Sequence, residues 1–181
     1  VPCEGGTAGE YDCENVDLLA FISVADMSTT GTNDIWGWTD PVNGNEIALV
    51  ALVDGTSFVD VTEPTNPCIL GKLDTHTNPS SWRDIKVYSN TAYIGSEATD
   101  HGLQVYDLIE LRQYYGACTV GQDMRIIHAT NHYAEFGSSH NVAINEDTGF
   151  AYVIGSRTCN SGSHMLNLAD PLNPVFAGAP H

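Results

Sequence analysis

The chain has 181 residues, 42% of them hydrophobic and 16% charged, with 6 Lys and Arg against 23 Asp and Glu for a formal net charge of −17. That length and apolar content suit one domain with a packed core. Six basic residues are too few to neutralise a nucleic-acid backbone, and so acidic a chain is repelled by an anionic membrane surface.

Residues 1–14 place Cys3 and Cys13 around a Gly-rich stretch, which predicts a small N-terminal loop closed by a Cys3–Cys13 disulfide. Cys68, Cys118 and Cys159 lack the close spacing of a zinc knuckle or redox motif, and spacing leaves their pairing open. Scattered cysteines in an acidic, Lys-poor chain point to an extracellular, oxidising setting. The opening Val1-Pro2-Cys3 has no leader pattern, so a secreted protein would already have lost its signal. Apolar runs such as residues 47–53 are far too short to span a bilayer.

Residues 15–30, with Val16, Leu18, Phe21, Ile22 and Val24, read as an outer strand with no strands of its own before it. An internal repeat organises the chain from residue 31 onward. Three segments open alike: Asn33-Asp34-Ile35-Trp36, Arg83-Asp84-Ile85-Lys86 and His140-Asn141-Val142-Ala143. Each leads through a turn to a β-rich run (47–53, 91–96, 150–156), then to a glycine and a further strand (55–61, 102–108, 162–168). Asn43-Gly44 and Asp147-Thr148-Gly149 carry hairpin-turn chemistry. Copies one and three end in Pro-bounded tails at 63–71 and 170–178, whereas the middle copy carries an insertion at 108–136, opened by a helical turn at 108–115. The expected fold is all-β and β-propeller-like. It has three four-stranded blades (31–79, 80–137, 138–181) plus the N-terminal orphan outer strand at 15–30. Propellers use about four to eight blades, so three describe a partial ring, to be completed by further sequence or by oligomerisation.

The strings Ser57-Phe58-Val59-Asp60-Val61, Ser81-Trp82-Arg83-Asp84-Ile85, Gly102-Leu103-Gln104-Val105-Tyr106-Asp107 and Ser139-His140-Asn141-Val142 resemble the choice-of-anchor B family, whose members carry LVIVD-type repeats. The resemblance runs from about residue 15 to residue 178. It implies a secreted, surface-attached bacterial protein of β-propeller-like build, with a domain longer than this chain and no catalytic activity to carry over. It also implies a cysteine after Ala177-Gly178 as the natural partner of Cys159, where this chain has Ala179.

The repeat stacks polar residues. Asn33, Arg83 and His140 precede the first strands; Asp34, Asp84 and Asn141 come next; Ser57, Gln104 and His164 share a third-strand position. First strands line the channel of a propeller, so these side chains are expected to converge at its mouth. His140, His164, Asp84 and Asp34 are the candidate metal ligands, for calcium or a transition metal ion, since carboxylate suits the one and imidazole the other. Arg83, Gln104 and Trp82 are candidate ligand-binding residues. The plainer expectation is that Asp34 and Asp84 cap turns and that His140 bonds backbone. Residues 40–46 and 145–147 supply oxygen ligands in short loops without an EF-hand pattern. His128 and His132 have helical spacing but helix-poor surroundings, so they read as loop histidines.

No nucleophile elbow and no phosphate-binding loop occurs. Three functions fit: an extracellular, surface-associated scaffold or adhesion module for a protein or glycan partner, supported by a cation; a self-assembling structural protein; or a metal-dependent enzyme at the channel mouth. The lack of a catalytic motif favours the first.

Overall fold

Apolar alternation after each repeat opening produces antiparallel strands, as a half-buried strand requires. The computed structural model describes residues 1–179. A two-stranded hairpin, β1 (Thr7–Ala8) and β2 (Tyr11–Asp12), lies inside the loop closed by the Cys3–Cys13 disulfide. The first large sheet meanders through β3 (Thr32–Thr39), β4 (Glu46–Leu52), β5 (Gly55–Asp60) and β6 (Cys68–Asp74). The second opens with β7 (Arg83–Tyr88), β8 (Thr91–Ser96) and β9 (Leu103–Asp107). A 3₁₀ helix, Leu108–Tyr114, begins the insertion; the Asp107 side chain caps it and Leu108 and Leu111 are buried under it. The insertion then gives β10 (Ile126–Ile127) and β11 (Asn131–Tyr133). The third large sheet is β12 (Asn141–Asn145), β13 (Phe150–Ile154), β14 (His164–Asn167) and β15 (Val175–Gly178).

The protein is therefore all-β, with large sheets of five, four and four strands. They stack face to face, with first strands adjacent: β3 beside β7, and β7 beside β12. One core layer joins the first and second sheets through Leu49, Phe58, Ile85, Ile94 and Tyr106, all fully buried. Phe58 and Tyr106 meet there with ring centroids 5.0 Å apart. A second layer joins the second and third sheets through Tyr93, Val105, Val142, Val153 and Leu166. The middle sheet is thus covered on both faces, so β8 is buried at every position rather than at alternate ones. Gly95 on β8 admits the third sheet closely: a Cβ there would collide with Ser139 Oγ. No closed ring forms among the described residues.

Two expectations need correction. Residues 15–30 are not an outer strand. They form no ladder, turn between Ser23 and Thr29, and leave Val16, Leu19 and Phe21 more than half exposed. The first sheet gains a fifth, outermost strand from the insertion, because β10 pairs parallel with β6 in the register Ile126↔Lys72 and Ile127↔Leu73. The Cys68–Cys118 disulfide ties the insertion to the start of β6, the strand that β10 flanks. Met27 and Ile22 of the N-terminal segment pack on the outer face of the first sheet, against Leu52, Val59 and Ile69.

The acidic loop at 40–46 is likewise not an open oxygen cage. Asp40 is fully buried, takes Arg112 Nε at 2.8 Å and Arg112 Nη2 at 2.6 Å, and also accepts from Tyr115 Oη and the Val42 amide. The Arg112 guanidinium holds its carboxyl well below the usual carboxylate range.

Candidate functional site

The repeated polar positions do not converge on one point; they tie each sheet to the next. Ile85 N donates to Asp34 Oδ2 at 3.0 Å, and Val142 N donates to Asp84 Oδ2 at 2.6 Å. Aspartates at equivalent positions therefore accept the backbone N–H of the following sheet's first strand. Asp84 also holds Lys86 Nζ at 2.6 Å, and that ammonium lies 4.5 Å from the Trp36 ring centroid of the first sheet. The Asn33 amide donates to Arg83 O across the same seam.

Third-strand residues tie backwards. Gln104 Nε2 donates to Asp74 O at 3.0 Å, and His164 Nε2 meets Tyr133 Oη at 2.8 Å. Each joins its sheet to the fourth strand of the one before, β6 or β11. Ser57, the equivalent in the first sheet, is fully buried with no hydrogen-bond partner. Arg83 is buried and donates to Leu52 O, Thr75 Oγ1 and His101 Nε2, so it is no free ligand-binding group.

Removing a clamp leaves a buried N–H without its acceptor, which costs about 2 kcal/mol. Asp84→Ala is expected to lower unfolding free energy by about that much in urea titration, and Asp84→Asn, which keeps an acceptor oxygen, by less.

The four expected metal ligands are thus apart. Asp34 and Asp84 bind backbone, His140 Nδ1 pairs with Glu97 Oε1, and His164 is buried between Tyr133, Thr158, Phe136 and Phe176. Among the described residues no three His, Cys, Asp or Glu side chains are placed to hold a metal ion. Cys159 is a free, half-buried thiol with Sγ 4.0 Å from His164 Nδ1.

What does gather is a polar groove. In an antiparallel meander the loops after the second and fourth strands emerge at the end where first strands begin. Loops 75–82, 97–102, 134–140 and 155–163 share that end. Between them lie two adjoining hollows of about 280 and 460 Å³ that share Asp100, Gly137 and Thr158. Glu97, Ser138 and Arg157 line one, and His76, His132 and Glu135 line the other. His76 and His132 stack with centroids 3.6 Å apart. Partial burial and the neighbouring His132 hold the His76 pKa below its ordinary value. Trp82, 59% exposed, stands beside His140 with ring centroids 6.3 Å apart, and its carbonyl receives the Glu97 amide.

Asp100 (φ 57°) and Arg157 (φ 60°) both sit in the left-handed region, a conformation that non-glycine residues hold at a cost and that clusters at binding sites. Beneath the groove, Arg83 donates to His101 Nε2 at 2.9 Å, so the proton of this neutral ring is on Nδ1, which donates to Gly102 O at 3.0 Å. Burial pushes the His101 pKa down to about 4.

The sequence named Trp82 and His140 at this rim but missed His76, His101, Glu97, Asp100 and Glu135. The signal available was loop order rather than repeat register, since each of these lies in or beside a loop that follows a second or fourth strand. The chain matches no protein-family model, and no curated protein matches it significantly.

Proposed function

We propose that the protein is an extracellular binding module of β-propeller-like build that presents this groove to a glycan at a cell surface. The observation that carries the reading is an exposed aromatic residue, Trp82, which stands beside His140 and whose carbonyl accepts from the Glu97 amide, next to a concave array of carboxylates and hydroxyls from Glu97, Asp100, Ser138 and Thr158. A sugar ring has an apolar face that an aromatic side chain covers, and a rim of hydroxyls that donate to carboxylate oxygens. The inter-sheet clamps supply the rigid frame such a site needs, since loops hold geometry only on a fixed scaffold.

Two disulfides fit an oxidising compartment. The resemblance of the repeat strings to the choice-of-anchor B family adds a bacterial surface as the setting. In this reading the three stacked sheets are blades of a partial propeller.

The test is a glycan array of surface polysaccharides probed with the purified chain. Selective binding is expected, weakened by roughly tenfold or more in Trp82→Ala, because an exposed aromatic anchor of this kind contributes above 1 kcal/mol to a binding site. Circular dichroism and melting should be unchanged, as Trp82 lies outside the core. Binding that is absent, or equal in the variant, defeats the proposal.

A further inference from the structure

We infer that the outward face of the third sheet is a docking surface for the first sheet of a second copy of this chain. Equivalent ladder triplets carry the inference. In the first sheet Trp36, Leu49 and Phe58 are cross-strand partners, and Leu49 and Phe58 are fully buried against the second sheet. In the second sheet Lys86, Tyr93 and Val105 are partners, and Tyr93 and Val105 are fully buried against the third. In the third sheet the same triplet is Ala143, Tyr152 and Met165, and here Ala143 is exposed while Tyr152 and Met165 are only half-buried. Ile154, at the end of β13, is 47% exposed.

The clamp repeats in the same way. Asp34 and Asp84 each accept an N–H from the next first strand; Asn141, the third member, is exposed and engages no such N–H. An amide oxygen there still accepts, without adding to a charge of −17.

The complementary face exists on the first sheet. The N-terminal segment covers the outer half of that face through Ile22 and Met27, but the inner half leaves Ile35 62% exposed, beside a hollow of about 460 Å³ between Ala48 and Val50 of the sheet and Leu19 and Ile22 of that segment. By the repeat, Ile35 corresponds to Ile85 and Val142, whose N–H groups are those clamped in the interfaces already formed. The docking surface is thus the continuation of two interfaces seen within the chain. Two copies joined head to tail bring six large sheets, within the range of about four to eight that closes a ring. A head-to-tail contact that closes by rotation yields a finite dimer rather than a fibre.

Sedimentation velocity of the full chain over a concentration series tests this. A monomer–dimer equilibrium is expected, tightened by added salt because two strongly acidic chains repel. Ile154→Lys on one face and Ile35→Lys on the other should each raise the dimer Kd by about tenfold or more, with circular dichroism unchanged since both positions are exposed. Mixing the two variants restores one unaltered interface, and association should partly recover. A monomer at every concentration overturns the inference, as does a dimer indifferent to either variant. Both outcomes are independent of glycan binding.

Discussion

Removing the Cys68–Cys118 bridge, by paired Cys→Ala substitution, is expected to destabilise the protein by about 4 kcal/mol, the chain entropy released when a loop of this length is opened. For a domain of this size that lowers Tm by roughly 10 °C. The sequence separation is 50 residues, against 10 for Cys3–Cys13, whose loss should cost less and disturb only the terminal hairpin. Hydrogen exchange gives the local readout. Loss of the longer bridge should deprotect β10 and the β6 amides it covers, since this parallel pair is only two residues long and depends on the tether. Equal melting temperatures for the two bridge variants, or unchanged protection at β6, contradict the assignment of the bridge as the clip that holds the insertion.

Acidification from pH 6.5 to 4 is expected to remove about 3 kcal/mol through His101. In the unfolded chain this imidazole takes up a proton at its ordinary 6.5; in the folded protein it does so only near 4, because the ring is buried. The unfolded state therefore binds more protons across that window, so stability is complete above it and falls as pH drops. The geometry gives the same sign. Nε2 faces the Arg83 guanidinium, so a second ring proton would displace an Arg83 donor. His164, also lowered by burial, adds in the same direction. Urea unfolding at stepped pH should show the slope, and His101→Gln, which offers Arg83 an acceptor but takes no proton, should flatten most of it. An identical slope in that variant rules His101 out as the source.

The fold was legible wherever one residue type had one physical job. Apolar alternation and the Asn43-Gly44 turn placed β3, β4 and β5, and Asp147-Thr148-Gly149 placed β12 and β13. The Cys3–Cys13 loop came from its spacing. Misreadings came where tertiary context decides. Residues 15–24 have the composition of a strand but pair with no strand edge; Ile22 packs instead on the outer face of the first sheet.

The stacked polar positions Asp34, Asp84, Gln104 and His164 do form a repeat, but a ligand cluster and a set of inter-sheet ties leave the same periodic mark. Only distance separates them: a metal would draw these side chains together, and the structure sends each across a different seam. The groove leaves no mark of that kind. His76, Asp100 and Glu135 occupy loops of unequal length, so they share an end of the molecule without sharing a register.

The parallel β10–β6 pair makes the first two sheets interlocked, because the first borrows its last strand from a segment between β9 and β11 of the second. On a nascent chain this imposes an order. The first sheet can assemble its four-strand meander early, but β6 keeps a bare edge until residues beyond Cys118 arrive. The short Cys3–Cys13 bridge should therefore form first and the long one only after β9 is in place. A variant trapped between these steps would expose one unpaired strand edge, the feature most prone to recruit another chain.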